Sequence, residues 1–186
     1  LEDGRLTSLL KEADVTQAKA FQKDLARLDE VRNARTNMAA SYFAAHAEEW
    51  DFLRSLHVAD SEVEAKISQI LHSAPLGSVL DVGTGTGRIV ELFAASASRF
   101  VALDNSPEML RLARARLQHL PADALDLVQG DFAALPFPAQ SFDTVLLHQV
   151  LHFAPDPSVA LAEAARVTRP GGRIAQRQFA ALRIGH

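Results

Sequence analysis

The spacing of hydrophobic residues changes near residue 74. Residues 5–73 contain neither glycine nor proline, and their apolar side chains recur at helical spacing. Phe21, Leu25 and Leu28, for example, fall on one face of a helix. The pattern predicts an all-helical N-terminal segment that ends at residue 73.

Beyond residue 74, short runs of branched apolar residues alternate with helical stretches. The predicted strands are 77–82, 100–103, 125–129 and 142–148, and the predicted helices are 88–96, 107–120 and 157–167. A turn over 169–172 leads into a fifth strand. Alternation at this pace is typical of βαβ units. We therefore expect an α/β domain built on a parallel sheet over residues 74–186.

A glycine-rich turn follows the first predicted strand. Val79-Leu-Asp-Val-Gly-Thr-Gly-Thr-Gly87 is a strand that leads into a tight loop at the start of a helix. Glycine lets the backbone turn sharply and lets a ligand approach where a Cβ would collide. The next strand ends in Asp104, about 20 residues later, where a carboxylate can accept hydrogen bonds from ribose hydroxyls. Together these features predict a nucleoside site.

The glycine spacing distinguishes two classes of cofactor. Dinucleotide enzymes carry Gly-x-Gly-x-x-Gly, which would require glycine at position 88, but Arg88 stands there and the glycines run Gly-x-Gly-x-Gly. The chain also lacks the Tyr-x-x-x-Lys pair of many nicotinamide-dependent oxidoreductases. The turn therefore favours a nucleoside with an amino-acid tail over a nicotinamide dinucleotide.

A series of motifs resembles those of class I S-adenosylmethionine-dependent methyltransferases. In chain order they are the glycine turn 80–87, the second strand and its continuation 101–110, the adenine-contacting region 129–138, the fourth strand 142–148 and the turn 169–173. The resemblance implies a Rossmann-like, doubly wound, mostly parallel sheet with helices on both faces. It also implies that the chain binds S-adenosyl-L-methionine and releases S-adenosyl-L-homocysteine after transferring the methyl group to a small molecule.

The resemblance gives roles to the residues around the methionine and the ribose. Gly83, Gly85 and Gly87 would pass under these two parts of the cofactor. Asp81 would orient the methionine amino group, and Asp104, followed by Asn105, would hold the ribose.

Further roles concern the adenine and the acceptor. Met109 would lie against the adenine, Asp131 would accept its exocyclic amine, and Phe132 would cover the ring. His148, at the end of the fourth strand, would face the methyl group or the acceptor as the candidate catalytic residue. Tyr42 would belong to a lid helix over the cofactor.

Structural roles remain open for the same residues. They are helix capping for Asp81 and Asp104, loop capping for Asp131, core packing for Met109, a strand-end contact for His148, and burial in an amphipathic helix for Tyr42 and Trp50.

Composition narrows the function further. A net charge of −4 over 186 residues gives no overall attraction to nucleic acid or to anionic membranes. The absence of cysteine excludes thiolate sites, including those with which methyltransferases hold trivalent arsenic. His46 and His57 form no recognised ligand set, so no metal is predicted. With no apolar run near the roughly 20 residues that span a bilayer, we expect a cytoplasmic protein that binds no membrane.

Both ends of the chain suggest that it is a piece of a longer protein. Residues 1–37 resemble the connector of bacterial proteins that fuse an ArsR-type regulator to a methyltransferase, which implies a DNA-binding domain upstream and a possible homodimerisation helix. The alternative function is then an S-adenosylmethionine-binding regulatory module of a transcriptional regulator. Residues 176–186 depart from the family where the fifth strand should continue, so we expect the last strands to be incomplete and the acceptor to stay unidentified.

Overall fold

The computed structural model describes residues 74–177 without a gap. Before them it describes residues 19, 21–28, 30, 31, 34, 38, 41, 42, 45, 46, 49, 67, 68 and 71. Trp50, His57 and residues 178–186 lie outside the described residues, and so does most of the predicted connector.

Five strands form one sheet. They are β1 (Ser78–Val82), β2 (Arg99–Asp104), β3 (Leu125–Gln129), β4 (Phe142–His148) and β5 (Thr168–Arg177). The strand order is β3-β2-β1-β4-β5, and every neighbouring pair is parallel. The connections change direction between β1 and β4, which is where open α/β sheets bind their ligands. The predicted α/β, Rossmann-like fold is confirmed.

Three helices connect the strands: α1 (Arg88–Phe93), α2 (Pro107–Arg116) and α3 (Pro157–Val167). Short 3₁₀ turns cover Ala94–Ser96 and Leu151–Phe153. The bounds predicted for β3, β4 and α3 are confirmed, but the prediction that α2 continues to Leu120 is wrong. Leu117 already leaves the helical region, with φ −93° and ψ 7°. The predicted turn 169–172 is part of β5, whose pairing with β4 is irregular between Phe142 and Thr144.

The sheet is covered on both faces, because alternate strand residues point to opposite sides. On one face Val79, Phe100 and Leu146 belong to a buried cluster with Val90 and Phe93 of α1. The other face packs against α3 through a second cluster that contains Leu80, Leu103, Val145, Ala160, Ala164 and Val167. Burial on both sides explains why the central strands β1, β2 and β4 are largely apolar rather than alternating.

The amino ends of β1 and β4 are held by polar contacts. Asp143 accepts hydrogen bonds from the Ser78 hydroxyl and the Arg169 guanidinium, each at 2.8 Å. Arg173 donates to the carbonyls of Leu71 and Ala74 at 3.1 and 2.9 Å. The polar side chains at this edge therefore bind one another or nearby carbonyls. The residues predicted to form the functional site lie at the opposite edge, where the strands end.

Contacts divide the chain into two units, Leu1–Met38 and Ala39–His186. In the second unit Ile67 and Leu71 belong to the same buried cluster as α1. Part of the predicted N-terminal segment therefore shares a unit with the sheet. In the first unit Phe21 and Leu28 are exposed, and the homodimerisation helix stays a prediction. No helix among the described residues has the length and apolar character needed to cross a bilayer.

Candidate functional site

The carboxyl ends of the strands bring several predicted site residues to one edge of the sheet. Asp81 is the penultimate residue of β1, Asp104 ends β2 and His148 ends β4. Asp81 pairs with Ala102, two positions before Asp104, so both aspartates lie on the same face of the sheet. Both are buried, with 1% of Asp81 and 9% of Asp104 exposed.

Asp104 holds the glycine loop to the end of β2. Its Oδ2 accepts the backbone N–H of Gly85 at 2.8 Å, and its Oδ1 accepts that of Ser106 at 2.9 Å. The N–H groups of Gly83 and Thr84 both donate to the Leu103 carbonyl, at 2.8 and 3.0 Å. Hydrogen bonds within the protein therefore hold the loop after β1 in place.

Gly83 is required by the packing of the protein itself. Its φ is +74°, and a Cβ built on it would lie 2.4 Å from Cγ2 of Val150. A side chain at position 83 would thus meet both backbone strain and a collision. Gly85 and Gly87 also have positive φ, 56° and 81°, and Gly87 is the N-cap of α1.

Neither Asp81 nor Asp104 caps one of the three helices. The N-cap of α1 is Gly87, without a side-chain cap, and the N-cap of α3 is Asp156. The N-cap of α2 is Ser106, whose hydroxyl accepts the Met109 N–H at 3.2 Å. The two buried acids are therefore not explained by helix capping.

Asp81 is a buried acid whose negative charge the described residues do not fully compensate. Among the described residues neither its Oδ2 nor the buried Thr84 hydroxyl has a hydrogen-bond partner. Burial raises the pKa of Asp81 to about 7; the nearby Thr84 hydroxyl opposes the rise, and the negative charge of Asp104 adds to it. Burial also raises the pKa of Asp104, against the opposing effect of backbone N–H groups that include Ser106 and Gly85. Neither acid forms an ion pair with a described Lys or Arg.

The residues predicted to contact the adenine lie around the ends of β2 and β3. Met109 is buried in the first turn of α2, with 2% exposed. Asp131 is exposed, and its Oδ1 accepts the Ala133 N–H at 2.8 Å, which is the loop contact that the structural alternative requires. Phe132 is half-buried against the α3 face of the sheet. Asn105 is exposed, and its carbonyl accepts Nε2 of Gln129 at 3.3 Å.

His148 lines a small cleft at the end of β4. The cleft also includes Ile67, Leu71, Ile89, Leu146, Ala175 and Gln176. The following residue, Gln149, has φ 55°, a conformation uncommon outside glycine and often found near functional sites. Sequence patterns gave no signal for this backbone conformation.

The predictions about the lid residue Tyr42 and about metal binding have less structural detail to compare with. Tyr42 is 46% exposed and stacks on His46 with ring centroids 4.3 Å apart, so its role in a lid stays a prediction. Among the described residues no group of three His, Asp or Glu side chains is arranged to hold a metal ion.

Comparisons with known proteins agree with the order of the motifs. The family described as a methyltransferase domain matches residues 80–176 and so spans all the motifs of the sequence analysis. A demethylmenaquinone methyltransferase of Renibacterium salmoninarum is 39% identical over 107 residues, which cover 58% of this chain and 43% of that protein. The chain thus spans less than half the length of this curated relative.

Solved structures show the same fold. A complex of DhpI with SAH matches with a TM-score of 0.64 and 26% identity, covering 75% of this chain and 66% of that one. Phosphoethanolamine N-methyltransferase 1 of Haemonchus contortus, in complex with phosphoethanolamine and S-adenosylhomocysteine, matches with a TM-score of 0.66 and 23% identity, covering 80% and 32%. At that identity the second match supports the fold alone.

Replacing Gly83 by alanine should destabilise the protein more than the same change at Gly171. Both positions have positive φ, but nothing lies within 4 Å of a Cβ at Gly171. Backbone strain alone costs about 1–2 kcal/mol, and the collision with Val150 should add roughly 1–3 kcal/mol at Gly83. Urea unfolding of the two variants measures the difference. Equal losses of stability would show that Val150 moves aside freely.

The variant Asp81→Asn should stabilise the ligand-free protein at pH 8. The folded-state pKa of Asp81 is raised, so the wild type loses stability as pH rises from about 4 to about 7, while the amide does not titrate. The gain should be roughly 2–4 kcal/mol at pH 8 and close to zero near pH 4.

Thermal unfolding across this pH range measures the effect. The matched control is Asp126→Asn, which changes a partly exposed acid on β3 that pairs with Arg99 and should show no such gain. A variant Asp81→Asn no more stable than wild type at pH 8 would contradict the interpretation.

Proposed function

The chain belongs to the methyltransferase domain family, and from this premise we propose that it binds S-adenosylmethionine and transfers the methyl group to a small-molecule acceptor. The observation that carries the proposal is the pair of buried acids, Asp81 and Asp104, beside the glycine loop to which Asp104 is hydrogen-bonded. A ligand with a cationic amino group would give Asp81 the hydrogen-bond donor and the positive charge that its Oδ2 lacks among the described residues, and its hydroxyl groups could donate to Asp104.

Asp104 is suited to the ribose. Its two oxygens already accept the N–H groups of Gly85 and Ser106, but an ionised carboxylate has about four lone-pair sites. It therefore keeps lone-pair capacity with which to accept a ribose hydroxyl. Asn105 follows it at the exposed rim, next to the nucleoside.

Asp81 is suited to the methionine amino group. Its buried Oδ2 has no donor among the described residues, and a charge-assisted hydrogen bond from an ammonium group would satisfy it. Gly83, Gly85 and Gly87 shape the backbone between the two acids. We assign the adenine to Met109, Asp131 and Phe132, and we keep Tyr42 as the lid residue.

The bound cofactor supplies a methyl group already activated by its sulfonium. The protein then has to position an acceptor and exclude water. His148 is the residue we assign to the acceptor side, because it ends β4 and borders a cleft with an apolar lining. Its ring can orient an acceptor hydroxyl or accept a proton from it.

Cofactor binding is the first test of the proposal. S-adenosylhomocysteine should bind at micromolar concentration by calorimetry, and Asp104→Asn should weaken binding roughly 10- to 100-fold, because hydrogen bonds to a charged group contribute about 1.5–3 kcal/mol. The control Asp126→Asn should bind as wild type does, and NADH should not bind. Wild-type affinity in Asp104→Asn would contradict the assignment of the ribose.

Methyl transfer is the second test. The protein is incubated with S-adenosylmethionine carrying a labelled methyl group and with reduced naphthoquinones, chosen because of the demethylmenaquinone relative, or with small amines. We expect labelled product with one of these classes and loss of product in Asp104→Asn but not in Asp126→Asn. Tight cofactor binding without product from either class would contradict transfer to these acceptors.

A further inference from the structure

We propose that ligand-free protein holds a proton on the buried carboxyl of Asp81 and that the ammonium group of the cofactor displaces it, so that cofactor binding releases a proton. The inference rests on the proposed function, because it takes S-adenosylmethionine and its product as the ligands. It goes further in making occupancy of the site depend on pH.

The geometry around Asp81 and Asp104 decides which acid is protonated. Both oxygens of Asp104 accept backbone N–H groups, from Gly85 and Ser106, which favours the ionised form of that carboxyl. Oδ2 of Asp81 is buried and has no donor among the described residues. The nearby Thr84 hydroxyl offsets only part of the cost of burying a negative charge on Asp81, so the proton resides on Asp81.

No positive charge among the described residues compensates the two acids. On the helices that cover this face, Arg88 pairs with Glu91, and Arg116 donates to the carbonyl and hydroxyl of Thr86. Two carboxylates buried on adjoining strands repel each other, and the charge of Asp104 raises the pKa of Asp81 further beyond the effect of burial.

The described groups near Asp81 come from three parts of the fold. Asp104 faces it from β2, Thr84 lies in the loop that follows it, and His148 ends the neighbouring strand β4. His152 lies at the same edge, in the 3₁₀ turn that follows β4. A test must therefore separate Asp81 from both histidines.

The proton balance is simple. Before binding, Asp81 is a neutral acid; afterwards it is a carboxylate paired with the ligand ammonium, and the proton passes to the buffer. With a free pKa of about 7 and a much lower pKa in the complex, binding should release about 0.9 protons at pH 6 and about 0.1 at pH 8. Affinity should be about tenfold weaker at pH 6 than at pH 8.

Calorimetry of S-adenosylhomocysteine with the wild-type protein measures both quantities. Titrations at pH 6 and pH 8, each in two buffers of different ionisation enthalpy, give the protons released from the difference in heat. 5′-Methylthioadenosine is the matched ligand control, because it keeps the nucleoside and the thioether but lacks the amino group. It should release no proton and bind equally at both pH values.

Two variants identify the group that titrates. Asp81→Asn should abolish proton release and make the affinity independent of pH, even where that affinity is lower. Asp126→Asn should behave as wild type. The same pH dependence in Asp81→Asn as in wild type would overturn the inference.

The wild-type titrations also separate this inference from the proposed function. If the protein binds at pH 6 with the same heat in both buffers, only the release of a proton is overturned. Folded wild-type protein that binds S-adenosylhomocysteine at neither pH overturns cofactor binding and the inference together.

Discussion

The hydrogen bonds that the Asp104 carboxylate accepts from Gly85 and Ser106 define the geometry of the site. They join the loop after β1 to the end of β2, and the pairing of these two strands places a second acid, Asp81, beside the first in a buried position. Burying a charge costs several kcal/mol unless hydrogen bonds or an opposite charge compensate it. Asp104 has such bonds, whereas Oδ2 of Asp81 has no partner among the described residues, so burial disfavours the charged form of Asp81.

The rest of the described sheet supports this arrangement. Apolar packing on both faces holds the parallel strands in one register, so that their carboxyl ends meet at one edge. Val150, which follows β4, packs where a side chain on Gly83 would lie, and this contact links the loop after β1 to the segment after β4. His148 and Gln149 are placed beside the same loop by that connection.

The sequence predicts the elements well because their signals are local. Strands β3 and β4 and helix α3 have the predicted bounds, since apolar runs and the proline at the start of α3 mark them clearly. The end of α2 is wrong by four residues, because the apolar residues Leu117 and Leu120 continue the helical pattern into a turn that precedes Pro121. Such boundaries depend on tertiary contacts more than on propensity.

The candidate site is predictable only in part, because it also depends on tertiary contacts. Glycine spacing and two strand-end acids indicate a nucleoside site, and the family match agrees with it. The unpaired oxygen of Asp81, the collision between Gly83 and Val150, and the backbone of Gln149 depend on residues distant in sequence. No local pattern encodes these contacts.

A crystal structure of the protein with S-adenosylhomocysteine at pH 8 is the most direct test of the central claim, which is that Asp81 and Asp104 together define a site for a cationic nucleoside ligand. The account predicts the ligand amino nitrogen within about 3.2 Å of an Asp81 oxygen and the ribose hydroxyls at the same distance from Asp104. A ligand bound with its amino group turned away from Asp81, or with its ribose away from Asp104, would contradict the account.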